Sequence, residues 1–399
     1  MIQIASHFML SQSSKYKVKK GNSMSGSTFG KNFTITTWGE SHGKALGCVV
    51  DGCPAGLALT EAIIQEYMDR RKPGQREFTT TRNESDQIEI LSGVFGGITT
   101  GAPISLIVYN HNYRSNDYEH LKDIYRPGHA DYTYQAKYGH RDYLGGGRSS
   151  GRETIGRVAG GAVACLILKD LGIELTTFSK TIGPITVPNE AYQFQNIKNN
   201  PLYIPNLEYA KSAAKYIESV MDKGDSCGGV IECIVKGLPV GLGEPAFDKL
   251  DSKIAQGVMS IGAVKGVEFG AGFEASERIG SECNDAFFVK EEDNTSFKLK
   301  NKPKIHKTTN HSGGVLGGLS DGDFLVLRTA IKPAPSIGKI QHTVTTEREN
   351  TTISITGQHD PIIVPRAVVV VESMVAITLV DFLFQNMSSK LDDIRKFYL

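Results

Sequence analysis

The chain carries almost no excess charge of either sign, no paired-cysteine spacing, a single tryptophan and no uninterrupted apolar run long enough to cross a bilayer. Each absence removes a class of function. With 44 Lys and Arg against 43 Asp and Glu, the formal net charge of +1 leaves no basic field for nucleic acid and no acidic tail. Clusters of arginine must then be local devices. The six cysteines, Cys48, Cys53, Cys165, Cys227, Cys233 and Cys283, form no CxxC pair, which argues against zinc and for reduced thiols in a reducing, cytoplasmic compartment. The most apolar stretch, 367–384, is broken by Glu372 and Asp381 and reads as a buried helix rather than a membrane span. In residues 1–23 the apolar MIQIASHFML precedes the basic KYKVKK, the reverse of a secretory signal, and no arginine marks a transit peptide. That segment reads as a disordered extension, with Met24 as a second candidate start.

What is present is a core-forming composition, 40% hydrophobic and 22% charged, with 43 glycines in 399 residues. Such a chain can bury a substantial core without disulfides or metal. Thr60 followed by EAIIQEYMDRR has an N-cap, an apolar face and a stop at Pro73 and Gly74, predicting a helix over 60–71. Arg70 and Arg71 fall at its C-terminus, where the helix dipole and a Glu66 to Arg70 pair would satisfy them. Downstream, GVLGGLSDG at 314–322 repeats GVFGGITTG at 93–101 almost position for position. Each copy follows a helix candidate (60–71, then 248–260) and precedes a long apolar one (150–171, then 365–387). The repeated order predicts one pseudo-duplicated domain over 24–399, its halves meeting near residue 215. Helices and strands do not alternate strictly, so the expected class is α+β.

The chemistry concentrates in YLGGGRSSGRET at 143–154. Ser150 and Glu153 have capping-box spacing, and Ile155, Val158, Ala162, Val163 and Leu166 recur with helical period, so a helix starts here. Three glycines leading into a helix N-terminus let backbone amides approach an anion closely, and Arg148 and Arg152 add donors suited to phosphate or carboxylate. A flexible turn before a capped helix would show the same glycines. The loop does not match GxGxxG, and no GxxxxGK[ST] occurs anywhere, so neither standard nucleotide cradle applies. His42 in WGESHGKALG and His129 in YRPGHADYTY sit beside glycine or proline, in loops where an imidazole near an anion could act as a general acid. Asp360, just before a proline and a predicted helix, is either a turn cap or a base.

Taken together, GESHGKALGCVVDGCPAG, RPGHADYTYQAKYGHRDYLGGGRSSGRETIGRVAGGA, GLGEPAFDKLDSKIAQGVMSIGAVKG, NHSGGVLGGLSDGD and HDPIIVPRAVVVVESM resemble the chorismate synthase family, from about Ser27 to the last helix. The resemblance implies a β-α-β sandwich, with a helical layer between sheets, assembled as a homotetramer. It also implies a lyase of the shikimate pathway, leading to aromatic amino acids, that converts 5-enolpyruvylshikimate 3-phosphate to chorismate and phosphate. Reduced FMN is required although there is no net redox change: flavin lends an electron, phosphate leaves and N5 accepts the hydrogen. That chemistry is intelligible, because no side chain is basic enough at neutral pH to remove an unactivated ring hydrogen, and a cofactor must carry the step.

Position by position, the resemblance implies that His42 protonates the departing phosphate, His129 sets the flavin's charge and Asp360 assists proton movement at N5. Arg71, Arg126 and Arg152 match substrate contacts. Arg148, Ser149, Ser150, Gly262, Ala263, Gly317, the segment Lys332, Pro333, Ala334, Pro335 and Ser336, and the position of Gln358 match FMN contacts. Gln358 replaces the arginine of a GRHDP motif, Gly262 a frequent asparagine, Lys72 the third arginine of an RRR run, and Glu77 a basic residue linked to NADP. With Glu77 there, reduction of the chain's own flavin by NADPH is disfavoured; NADPH as the reductant and a separate flavin reductase as a partner both stay open. Two other classes remain open: a flavoprotein oxidoreductase that has lost the elimination, motivated by Gln358, and a non-catalytic anion-binding protein.

Overall fold

A computed structural model of the chain, describing residues 26–72, 86–110, 121–289, 305–355 and 360–399, places a layer of helices between two five-stranded antiparallel sheets. The expected extension over 1–23, Glu77 and Gln358 lie outside the described residues. The first run of elements is β1 (Thr28–Phe29), β2 (Thr34–Gly39), β3 (Ala45–Asp51), α1 (Glu61–Arg71), β4 (Ile88–Ile90), β5 (Val94–Phe95), β6 (Ile98–Thr99), β7 (Ile104–Tyr109), α2 (Asp131–Tyr138) and α3 (Thr154–Asp170). The second opens with β8 (Glu174–Ile182), β9 (Ile185–Thr186), α4 (Leu207–Met221), β10 (Gly229–Lys236), α5 (Leu250–Met259), β11 (Val264–Phe269), α6 (Gly280–Cys283), β12 (Phe287–Val289) and β13 (Ile305–Lys307). It closes with β14 (Val315–Leu316), β15 (Leu319–Ser320), β16 (Leu325–Ile331), β17 (Gln341–Val344), β18 (Asn350–Ile353), α7 (Val364–Asn386) and α8 (Leu391–Tyr398).

The two sheets share a topology. Neighbours β2-β3-β7-β4 in one correspond to β8-β10-β16-β11 in the other, and in each run a helix, a two-residue glycine hairpin and a central helix follow in the same order. In both hairpins the two turn residues, Gly96 and Gly97 or Gly317 and Gly318, have positive φ, the type I′ geometry that matches strand twist and favours glycine. Residue 215, the expected junction, falls inside α4, a helix with no counterpart in the first run among the described residues, and the order of elements begins to repeat at β8, after α3.

Alternation sets which face of each sheet is buried. Ile35 and Thr37 of β2, Leu46, Cys48 and Val50 of β3, and Ile104, Leu106 and Val108 of β7 point inward onto α3, as period-2 patterning requires. Leu325, Leu327, Thr329 and Ile331 of β16 do the same in the second sheet, where α7 packs on β8 and β10. Both central helices are apolar nearly all round, because each meets a sheet on one side and the other helix on the other. Helix α7 is long and apolar enough to span a bilayer, yet 89% of its most apolar window is buried within the protein.

The two charges that interrupt α7 have internal partners. Asp381 accepts the backbone N–H groups of Lys31, Asn32 and Phe33 at 2.7–3.1 Å, pinning the entry to β2. Glu372 takes both guanidinium nitrogens of Arg70 at 2.7 and 2.8 Å, so Arg70 pairs across helices rather than with Glu66 on its own. An unpartnered carboxylate in that interior would be far costlier than a surface pair forgone. The capping box over 150–153 is also corrected. Two short 3-10 turns precede α3, Ser150 Oγ accepts from Arg152 N at 3.3 Å, and the Glu153 carboxylate faces Arg157 at 2.8 Å instead of turning back to Ser150. All six cysteines are free and five are buried; burial pushes the thiols of Cys48 and Cys233 up to about 12 and those of Cys53 and Cys227 up to about 11.

Where the central helices touch, Gly161 of α3 lies against Ser373 of α7, and a Cβ on Gly161 would stand 2.2 Å from the Ser373 Cβ and 2.7 Å from its Cα. Neither backbone can yield without moving a helix. Gly161→Ala is expected to cost roughly 2–3 kcal/mol, the upper range for overpacking, measured as a lower urea midpoint; an unchanged midpoint would show that the helices have room to spare.

Candidate active site

The glycine loop is built to admit a histidine. Gly145, Gly146 and Gly147 have φ of +124°, +82° and +51°, and a Cβ on Gly145 would meet Cδ2 and Nε2 of His42 at 2.7 Å. Only a bare backbone lets that imidazole approach the loop so closely. His42 comes from the turn between β2 and β3, which Asn110, one residue past β7, ties down: its Nδ2 donates to Glu40 O at 3.2 Å and Gly43 O at 2.8 Å. The Oδ1 of the same Asn110 accepts from Arg152 Nη2 at 2.7 Å. One amide thus joins the histidine turn to the arginine at the start of α3.

Around Arg152 the side chains alternate in charge. Arg71, 1% exposed at the end of α1, donates Nη2 to Asp86 Oδ2 at 2.6 Å, and Arg152 Nη2 lies 3.0 Å from Asp86 Oδ1. Arg366, two residues into α7, donates Nε to the main-chain carbonyl of Arg71 at 3.1 Å and pairs through Nη1 with Asp360. Burial lowers the Arg366 pKa against the opposing pull of Asp360. Asp360 thus stands at one end of a chain of ion pairs and hydrogen bonds that reaches Arg152 through Arg366, Arg71 and Asp86. Its neighbour Gln358, and with it the oxidoreductase alternative, lies outside the described residues.

A second carboxylate repeats the arrangement. Asp131, at the start of α2, takes Arg126 in a fork at 2.8 and 2.8 Å and has Arg141 at 3.5 Å. Burial opposes ionisation of Asp131, but the Arg126 fork wins and holds its carboxyl below the usual range. Arg126 also approaches the glycine loop, its Nη2 3.8 Å from where a Cβ of Gly146 would be. The turn that follows, in which His129 N donates to Arg126 O at 3.3 Å, carries His129 to Ser336, whose Oγ is 2.8 Å from the imidazole Nε2.

The segment 332–336 is fixed on several sides. Lys332 Nζ donates to Gly128 O at 2.8 Å, Lys332 N to Ala263 O at 2.9 Å, and Ser226 Oγ to Ala334 O at 2.6 Å. Pro335 packs against Gly128. Ala263 has φ +73°, an uncommon strain for a residue with a Cβ and one that recurs at functional sites. Burial, then the nearby Lys265 charge, lowers the Lys332 pKa. Beside Ala263, Gly262 faces open space.

The structure thus brings together His42, Arg71, Arg126, His129, Arg152, Asp360, Gly262, Ala263 and Lys332 to Ser336 in linked clusters. Arg148 is placed differently, with its guanidinium turned onto β2 and donating to Thr37 O, Thr37 Oγ1 and Gly39 O at 2.8–3.3 Å. Ser149 Oγ bonds back to Gly146 O at 2.6 Å, and Ser150 caps a 3-10 turn. Gly317 stands in the β14–β15 turn, where the adjacent Gly318 packs on the Lys249 side chain. Sequence reasoning passed over Asp86, Asn110, Asp131 and Arg366. Of these, Asp131 lies inside the quoted motif RPGHADYTY and Arg366 inside IIVPRA, while no motif or spacing marks Asp86 or Asn110.

Comparison with known proteins points the same way. The sequence model of the family described as chorismate synthase matches residues 33–384. The chain is 56% identical to a chorismate synthase of Lachnoclostridium phytofermentans over 94% of its own length and 100% of the relative. It is 50% identical to one of Methanosarcina barkeri over 91% and 97%. A solved structure described as a crystal structure of chorismate synthase superposes with a TM-score of 0.70 at 32% identity, covering 92% of this chain and 96% of the other. A shared fold alone would leave function open, but agreement at this identity over nearly the full length of each relative does not, and the chain belongs to the chorismate synthase family.

Proposed function

We propose that this chain catalyses the 1,4-elimination of phosphate from 5-enolpyruvylshikimate 3-phosphate to give chorismate, with reduced FMN as an unconsumed cofactor, in the cytoplasm and as a homotetramer. The observation that carries the reading is the seating of His42 against Gly145, its turn joined through Asn110 to the arginine chain. A proton donor and an array of fixed guanidinium groups are what expulsion of an anionic leaving group needs.

The residues present fit a flavin. Gly262 faces open space, the strained Ala263 holds the backbone of Lys332, and the 332–336 segment presents Ser336 to His129. Those residues would hold the cofactor, which supplies the electron and the hydrogen acceptor that no side chain provides. The protein's own work is positional. Arg71, Arg126 and Arg152 bind the substrate's anionic groups with donors already oriented by Asp86 and Asp131. His42 delivers a proton to the departing phosphate oxygen. Asp360, held by Arg366, would assist proton movement at the flavin's N5, and His129, oriented by Ser336, would set the charge beside the ring. Arg148 supports this indirectly, by fixing the end of β2 from which the His42 turn departs.

Anaerobic incubation with dithionite-reduced FMN should convert the enolpyruvyl ester to chorismate with release of one phosphate; well-folded protein that gives no turnover at saturating substrate and flavin refutes the proposal. His42→Ala should lower kcat by roughly 10²-fold to 10⁴-fold, the scale of a positioned proton donor, and an unchanged rate across pH would remove His42 from that role. Ser336→Ala should weaken FMN binding about fivefold, the effect of one hydrogen bond of about 1 kcal/mol, followed by flavin absorbance in an anaerobic titration; equal dissociation constants would show that the His129 contact plays no part in holding the cofactor.

A further inference from the structure

We propose that Asp86 is a positioning residue for the substrate's anion, fixing Arg71 and Arg152, which arrive on separate elements, at one spacing. The inference deepens the functional reading above and rests on it. The Asp86 side chain is fully buried between the two guanidinium groups, one on each carboxylate oxygen. Its backbone is held in an unusual state, with φ +41°, in the left-handed region that aspartate tolerates better than most residues but still at a cost. That state is enforced from α1, where Gln65 donates Nε2 to Asp86 O at 3.2 Å and accepts Ile88 N at Oε1, 3.1 Å. A side chain from the arginine-bearing helix thus straps the residue that holds the arginine.

Burying a carboxylate with two guanidinium groups is a costly way to fill this space. An apolar residue of the same size, with the arginines turned to solvent, would avoid burying charge at all. What the arrangement achieves is a pair of guanidinium groups, from separate elements, held at one spacing by a shared carboxylate. On Arg71 the buried Nε has no hydrogen-bond partner among the described residues, an unmet donor of the kind that an incoming anion satisfies.

Two effects of opposite sign make the proposal testable. Deleting the Asp86 charge raises the positive potential, which by itself would tighten binding of an anion; losing the fixed spacing would weaken it. Asp86→Asn keeps shape and tolerance of the backbone, and the assay uses the full-length protein loaded with reduced FMN. We expect KM for 5-enolpyruvylshikimate 3-phosphate, and its dissociation constant by calorimetry, to rise about tenfold or more, as misplaced contacts do, with kcat changed less than about threefold, the pattern of lost binding. Combining it with Arg152→Met should add little beyond the larger single effect, since both remove one interaction. Gln65→Met leaves the buried charge untouched, covers the case in which Asp86→Asn fails to fold, and should also raise the dissociation constant. Binding as tight as or tighter than wild type in Asp86→Asn or in Gln65→Met, or fully multiplicative effects in the double variant, overturns the proposal. Wild type that neither binds nor converts the ester overturns the functional reading instead.

Discussion

The close approach of α3 and α7 is the constraint on which the site depends. Arg152 immediately precedes α3, while Asp360 and Arg366 bracket the start of α7. The distance between these groups is therefore set by how nearly two helix axes can meet. Gly161 against Ser373 makes that distance short, and the sheets on either side clamp the pair. A buried helix interface is stiff compared with a loop, so groups hung from its two N-terminal ends inherit that stiffness. Arg70 and Arg71 extend the same logic: one anchors α1 to Glu372 of α7, and the next enters the site with its carbonyl held by Arg366.

The electrostatics follow from economy of charge. Net charge is nearly zero, and the arginines of the site are not left to gather by long-range attraction. Each group of two is organised by one carboxylate, Asp86 for Arg71 and Arg152, Asp131 for Arg126 and Arg141. Such triplets retain one positive charge and lose most of the rotational freedom of three side chains before any ligand arrives. An anion then meets donors that need no reorganisation, where fixed dipoles outperform water.

Much of this was legible in the sequence. Helices α1, α3, α5 and α7 and the twin glycine hairpins have local causes: caps, 3.6-residue spacing and I′ turn residues. The family motifs pointed to His42, His129 and the arginines. What was not legible is long-range. Arg70 had a plausible partner four residues away in Glu66 and chose Glu372, about three hundred positions off, because burial of α7 outweighs a surface pair. Glu153 likewise left the cap for Arg157. Asp86 and Asn110 carry no motif, and the motif around Asp131 singles out His129 rather than the aspartate, since the importance of all three lies in which backbone and guanidinium groups the sheets and helices deliver to them. The expected junction near 215 falls within α4, a strongly amphipathic helix with no counterpart in the first run among the described residues.

Burial of the thiols has a consequence of its own. A dihydroflavin exposed to air generates hydrogen peroxide, and peroxide attacks sulfur chiefly as the thiolate. With Cys48, Cys53, Cys227 and Cys233 held protonated near neutrality by their apolar surroundings, and burial likewise raising Cys165 well above the usual thiol range, the core offers almost no nucleophilic sulfur. On the flavin reading, the same packing that builds the sandwich also shields the enzyme from the oxidant its own cofactor would release.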